Sequence, residues 1–131
     1  MIQPSLFLRR ALLADAVFSG VSAAGLSLGA SVFAPFFNLP EALLRETGLF
    51  LIVYAGLVGW LGTRQAAPRT LVLMVIAGNA AWTLGSALLF SGAVSPNLPG
   101  EIVVVAQAIA TGVFAELQYV GLRKSDDAVP A

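Results

Sequence analysis

The chain has 131 residues, 58% hydrophobic and 11% charged, with seven basic and seven acidic side chains and a mean hydropathy of +0.88. Soluble domains carry about 25% charged residues, so an ordinary water-soluble domain is excluded, and a net charge of zero gives no basic surface for nucleic acid. With neither cysteine nor histidine there is no disulfide framework, no thiolate nucleophile and no imidazole for metal ligation or acid–base work. No metal site or cofactor is expected, and the chain does not read as an enzyme.

In chain order, apolar runs cover about 12–37, 47–63, 70–92 and 102–122. Each approaches the roughly 20 residues that cross a bilayer. In lipid the backbone must satisfy its own hydrogen bonds, so each run should be a helix. The runs are continuous rather than alternating, which argues against a β-barrel. The expected fold is an all-α membrane protein with four transmembrane helices in a single domain, 1–131. Arg9-Arg10 before an apolar run has the outline of a secretory leader. That run is longer than a leader's core and carries Asp15 near its start, which favours a retained span.

Basic residues fix the expected orientation. Arg9 and Arg10 precede the first run, Arg64 and Arg69 flank the 63–69 turn, and Arg123 and Lys124 follow the fourth run. Only Arg45 falls on the other side. Both termini and the middle turn should therefore be cytoplasmic in a bacterial inner membrane.

The two halves of the chain match. At an offset of 64, Pro4 aligns with Pro68, Asp15 with Asn79, Phe18 with Trp82, Ser19 with Thr83 and Ser22 with Ser86. At an offset of 59, Asn38-Leu39-Pro40 aligns with Asn97-Leu98-Pro99, Trp60 with Tyr119, Gly62 with Gly121 and Arg64 with Arg123. Pro4 and Pro68 each suit the first turn of a helix. The expected arrangement is two tandem helical hairpins, about 4–64 and 68–123, followed by a short polar tail, 124–131. Each hairpin starts and ends on one side, so the repeats are parallel, with a pseudo-twofold axis along the membrane normal.

Polar residues mark the candidate site. Asp15, Ser19 and Ser22 share one face of the first helix, and Asn79, Thr83 and Ser86 share the matching face of the third. These faces should meet near the axis, because polar groups avoid lipid. An ionised carboxylate at mid-membrane depth costs about 2.5–3.5 kcal/mol on insertion scales, so Asp15 and Glu116 call for partners. Glu116 lies at a depth that allows an ion pair with Arg9 or Arg10. Tyr54 and Trp82 would line an aromatic pocket near Asp15, and aromatic faces beside a carboxylate suit a lipophilic cation. Gln107, Thr111 and Gln118 form a further polar face on the fourth helix. Trp60 and Tyr119 fit an interfacial aromatic belt.

Through LRRALLADAVFSG (8–20), the Trp82 region and FAELQYVGLRK (114–124), the whole chain resembles small four-helix integral membrane proteins of bacteria. That resemblance brings no activity with it. In size, helix number and a first-helix carboxylate the chain is also similar in architecture to small multidrug transporters. Their carboxylate is a glutamate where this chain has Asp15, and their surrounding motif is absent.

Two functions are compatible with these residues. In the first, the protein binds or moves a small lipophilic or cationic molecule, acting as an oligomer, with Asp15 as the acidic group. Asn79, Ser19, Thr83, Ser22, Ser86, Trp82 and Tyr54 would line that site. In the second, it is an accessory or assembly subunit of a membrane complex, and the polar residues serve helix association alone.

Overall fold

Ser5 caps the first helix, its hydroxyl accepting from the Leu8 amide at 3.1 Å. The computed structural model describes residues 1–127, with every side chain among them except that of Phe90. Helix α1 (Leu6–Phe37) therefore begins ahead of Arg9 and Arg10 rather than at the start of the apolar run. Hydropathy marks where lipid contact starts, whereas the cap marks where helical hydrogen bonding starts. At its far end Asn38 adopts the left-handed conformation, φ 53°, and its amide returns to the Ala34 carbonyl. Helix α2 (Glu41–Gly62) follows directly.

Helix α3 (Arg69–Leu88) starts immediately after Pro68 and runs into a 3-10 turn over Leu89–Ser91. Helix α4 (Leu98–Arg123) is capped by Asn97, whose side chain accepts from the Gly100 amide at 2.9 Å. Of the two prolines expected to open helices, Pro68 stands at the boundary of α3, while Pro4 lies outside α1, ahead of its Ser5 cap. All four helices are long and apolar enough to cross a membrane, which makes this a multi-pass membrane protein. Their outer faces are apolar, with Leu28 87% and Val53 73% exposed. α1, with 32 residues, is about 48 Å long and exceeds the roughly 30 Å hydrocarbon core.

Helix α1 packs against both α2 and α4, and α3 packs against α4. Two glycines permit the close approach. A Cβ on Gly62 would stand 2.9 Å from the Leu13 side chain, and one on Gly121 would stand 2.7 Å from the Cα of Leu8. Both glycines thus abut α1, although exact equivalence of the halves would set Gly121 against α3. The matched asparagines also differ: Asn38 closes a helix, whereas Asn97 opens one. The all-helical, four-span fold is present, but corresponding residues of the two halves do different work.

The ends of the bundle are tied separately. A short strand, β1 (Ile2–Gln3), pairs antiparallel with β2 (Asp126–Asp127), and Ile2 also bridges Ala67 through bonds of 2.8 and 2.9 Å. Both termini of the described chain and the middle turn therefore share one end. The start of the polar tail is held in this pairing, and 128–131 lie outside the described residues. At the opposite end Asn38 donates to the Ser95 carbonyl at 2.6 Å and Asn97 donates to the Phe36 carbonyl at 2.8 Å.

Candidate functional site

The inward stripe of α1 is Leu8, Leu12, Asp15, Ser19 and Ala23, all buried. Helical spacing therefore carries Asp15 into the core, where it is 0% exposed. Its carboxylate receives donors from every helix. Ser19 Oγ donates to Oδ1 at 3.0 Å. Oδ2 accepts from Tyr54 Oη of α2 at 2.9 Å, Asn79 Nδ2 of α3 at 2.8 Å and Gln118 Nε2 of α4 at 2.8 Å. Asn79 Nδ2 also donates to Gln118 Oε1 at 2.9 Å, closing the cluster. Three of the four donors converge on Oδ2 and one reaches Oδ1, so both oxygens of the carboxylate are engaged.

A second polar cluster joins α3 to α4 alone. Trp82 Nε1 donates to Gln107 Oε1 at 2.6 Å, and Gln107 Nε2 donates to Ser86 Oγ at 2.7 Å. The hydroxyls of Thr83 and Thr111 lie 2.8 Å apart. The Trp82 ring stacks on Phe50 of α2, with centroids 6.0 Å apart, and Phe50 stacks in turn on Tyr54 at 6.2 Å. These rings connect α2 to α3, with Phe50 on the exposed side of the stack.

The expected site residues thus divide into groups. Asp15, Ser19, Tyr54 and Asn79 come together in the hub. Trp82, Thr83 and Ser86 belong to the second cluster. Ser22 is half-buried on α1 and takes no part in the hub. Gln118 completes the hub but was not among the expected site residues. Its signal was present in the polar face it shares with Gln107 and Thr111; what sequence lacks is the register that sets it level with Asp15.

Glu116 is exposed on α4, and the structure does not bring it to Arg9 or Arg10. Among the described residues the ion pairs are Arg45–Glu41 at 2.6 Å and Arg69–Asp127 at 3.2 Å. Arg9 instead donates to the Arg64 carbonyl at 3.0 Å. Glu116 stands at the edge of a groove of about 490 Å³ between α3 and α4, lined also by Thr83, Ala87, Ala108, Ile109 and Gly112. At the ends of α2 and α4, Arg64 lies 5.5 Å over the Trp60 ring and Arg123 lies 6.0 Å over the Tyr119 ring. Such aromatic–arginine pairs suit a membrane interface.

No protein-family model matches this chain, and no curated protein or solved structure is significantly similar to it.

Proposed function

We propose that this is a non-enzymatic protein of the bacterial inner membrane, with both termini cytoplasmic, that works as an assembly subunit within the bilayer. Its polar core is structural, and its working surface is the lipid-facing exterior. The observation that carries this reading is Asp15, buried and engaged by four donors from all four helices. The carboxylate is 0% exposed, with its donors closing around it on every side, so a ligand would have to displace a helix-to-helix bond to reach it. The orientation rests on six of the seven basic side chains lying at the end that holds the termini. A tandem origin of the two halves is part of the proposal, supported by the repeated aromatic–arginine exits at Trp60/Arg64 and Tyr119/Arg123.

Blue-native electrophoresis of the tagged chain from mildly solubilised membranes tests the assembly role, and it should migrate well above monomer. Thermal melts of the parent and Asp15→Asn with tetraphenylphosphonium test the structural role, with equal ligand response expected. A monomer whose stabilisation by the cation is lost in Asp15→Asn would overturn the reading.

One observation favours a second reading. The α3/α4 groove combines about 490 Å³, apolar walls and the Glu116 carboxylate, which suits a small lipophilic cation. Protection of the parent but not Glu116→Gln by tetraphenylphosphonium would support it.

A further inference from the structure

Neither Arg10 nor Glu116 takes part in an ion pair among the described residues. Of the seven basic side chains, Arg9, Arg45 and Arg69 bond to oxygen acceptors, while Arg64, Arg123 and Lys124 lie over the rings of Trp60, Tyr119 and Phe7. Arg10 is the one basic side chain with no such partner among the described residues. It is exposed, on the outward stripe of α1 that continues through Val17, Val21 and Leu28. Glu116 lies seven residues inside the end of α4, deeper than Glu46, which lies five residues inside the start of α2, and it too faces out.

Their depths correspond. Leu8 meets Gly121, and the Phe18 and Phe114 rings lie 5.6 Å apart, so residue numbers at equal depth on α1 and α4 sum to about 130. Arg10 then lies about one turn, or roughly 6 Å, closer to the membrane edge than Glu116. A long arginine stem spans such an offset along an apolar surface. Val17 and Val21 fall at about the depths of Gly112 and Ala108, the small residues in the floor of the groove. Small residues are what close helix contact in membranes requires.

The two charges occupy different sides of one chain, because Glu116 borders the α3/α4 groove while Arg10 crowns the outer face of α1. We infer that a second copy of this chain docks its α1 face into the α3/α4 groove, pairing its Arg10 with Glu116. The inference rests on the assembly reading above and specifies its partner. Such a contact is heterologous, joining two different patches, so it builds a ring where its rotation closes, and not a twofold dimer. Each copy contributes one arginine and one glutamate, which removes both uncompensated charges from lipid.

The chain has no cysteine, so introduced thiols report the contact directly. Two differently tagged full-length chains, one carrying Val17→Cys and the other Val113→Cys, are co-expressed and oxidised in native membrane vesicles. A mixed disulfide should form, whereas Val17→Cys with Val53→Cys, on the outer face of α2, should give none. Arg10→Glu on the first chain, or Glu116→Arg on the second, should abolish the cross-link, and both together should restore it. Cross-linking at the level of the Val53 control, or cross-linking unaffected by either reversal, overturns the pairing. So does a chain that stays monomeric and binds tetraphenylphosphonium through Glu116. High-mass assemblies lacking a Val17–Val113 cross-link would overturn this interface while leaving the broader assembly reading in place.

Discussion

Asp15 and Glu116 are carboxylates set within the same kind of apolar helix, yet their surroundings are opposite. Asp15 is surrounded by donors from four helices. Glu116, on the outer side of α4, lies against a shallow apolar groove. Depth in the membrane is therefore a poor guide to the role of an ionisable residue. Direction decides it: inward, the carboxylate becomes the joint that orders the bundle; outward, it is available to something beyond the chain.

The largest effect should come from emptying the hub. Asp15→Leu leaves Tyr54 Oη and Gln118 Nε2 buried without their acceptor, and Asn79 Nδ2 with only Gln118 Oε1. An orphaned buried donor costs about 1–3 kcal/mol, while measured interhelical bonds in membranes average nearer 0.6 kcal/mol. A total loss of roughly 2–4 kcal/mol is expected in denaturant-induced unfolding in micelles. Asp15→Asn should cost only about 1 kcal/mol, because its carbonyl can take the three-donor position and its amide can face Ser19. Equal stability of parent and Asp15→Leu would remove the hub from the folding argument.

Packing around the hub comes next. Gly121→Leu forces a side chain onto α1 where a Cβ alone would lie 2.7 Å from the Leu8 Cα. Overpacking of this kind costs about 1–3 kcal/mol. Since Ser5 bonds to the Gly121 carbonyl at 3.0 Å, the same change should loosen the N-terminal strand. Faster amide exchange at Ile2, whose N–H bonds to Ala67, would register that loosening. Unchanged stability and exchange would mean α1 and α4 can separate without consequence for the end of the bundle.

Much of this was legible in the residues. Apolar runs located four helices because lipid demands apolar length, and the face shared by Asp15 and Ser19 led directly to the hub. The rest depends on register and rotation. Gln118 joins Asp15 only because α1 and α4 pack with Leu8 against Gly121, which one-dimensional spacing does not encode. Arg9 and Glu116 were close in depth, but α4 turns Glu116 toward α3, so depth alone suggested a pair that is not made. Likewise, matched letters at Asn38 and Asn97 hid opposite capping roles, because a cap depends on which side of the turn the helix lies.

The second polar cluster should matter less than the hub, since it joins only two helices. Gln107→Leu removes the acceptor of Trp82 Nε1 and the donor to Ser86 Oγ. Ser86 keeps its bond to the Trp82 carbonyl at 2.8 Å, so the net cost should be about 1 kcal/mol. Trp82 fluorescence should shift as its ring environment relaxes. A cost matching that of Asp15→Leu would erase the distinction between a four-helix joint and a two-helix clasp.

The smallest effect on the fold should come from Glu116→Gln, and that smallness is the sharpest contrast with Asp15. Within the chain Glu116 has no ion-pair partner among the described residues, so neutralising it strands no buried arginine. Substitutions away from such partners usually fall within about 0.5 kcal/mol, and removing a charge near lipid is if anything favourable. An intrachain clamp to Arg9 or Arg10 would behave differently, because breaking a buried pair costs about 3–5 kcal/mol. Unfolding of Glu116→Gln in detergent, under conditions where the chain is monomeric, separates the two. Stability equal to the parent keeps Glu116 outside the folding machinery and leaves its charge free for contacts beyond the chain. A loss of several kcal/mol would mean that the outward carboxylate, like the inward one, helps hold the bundle together.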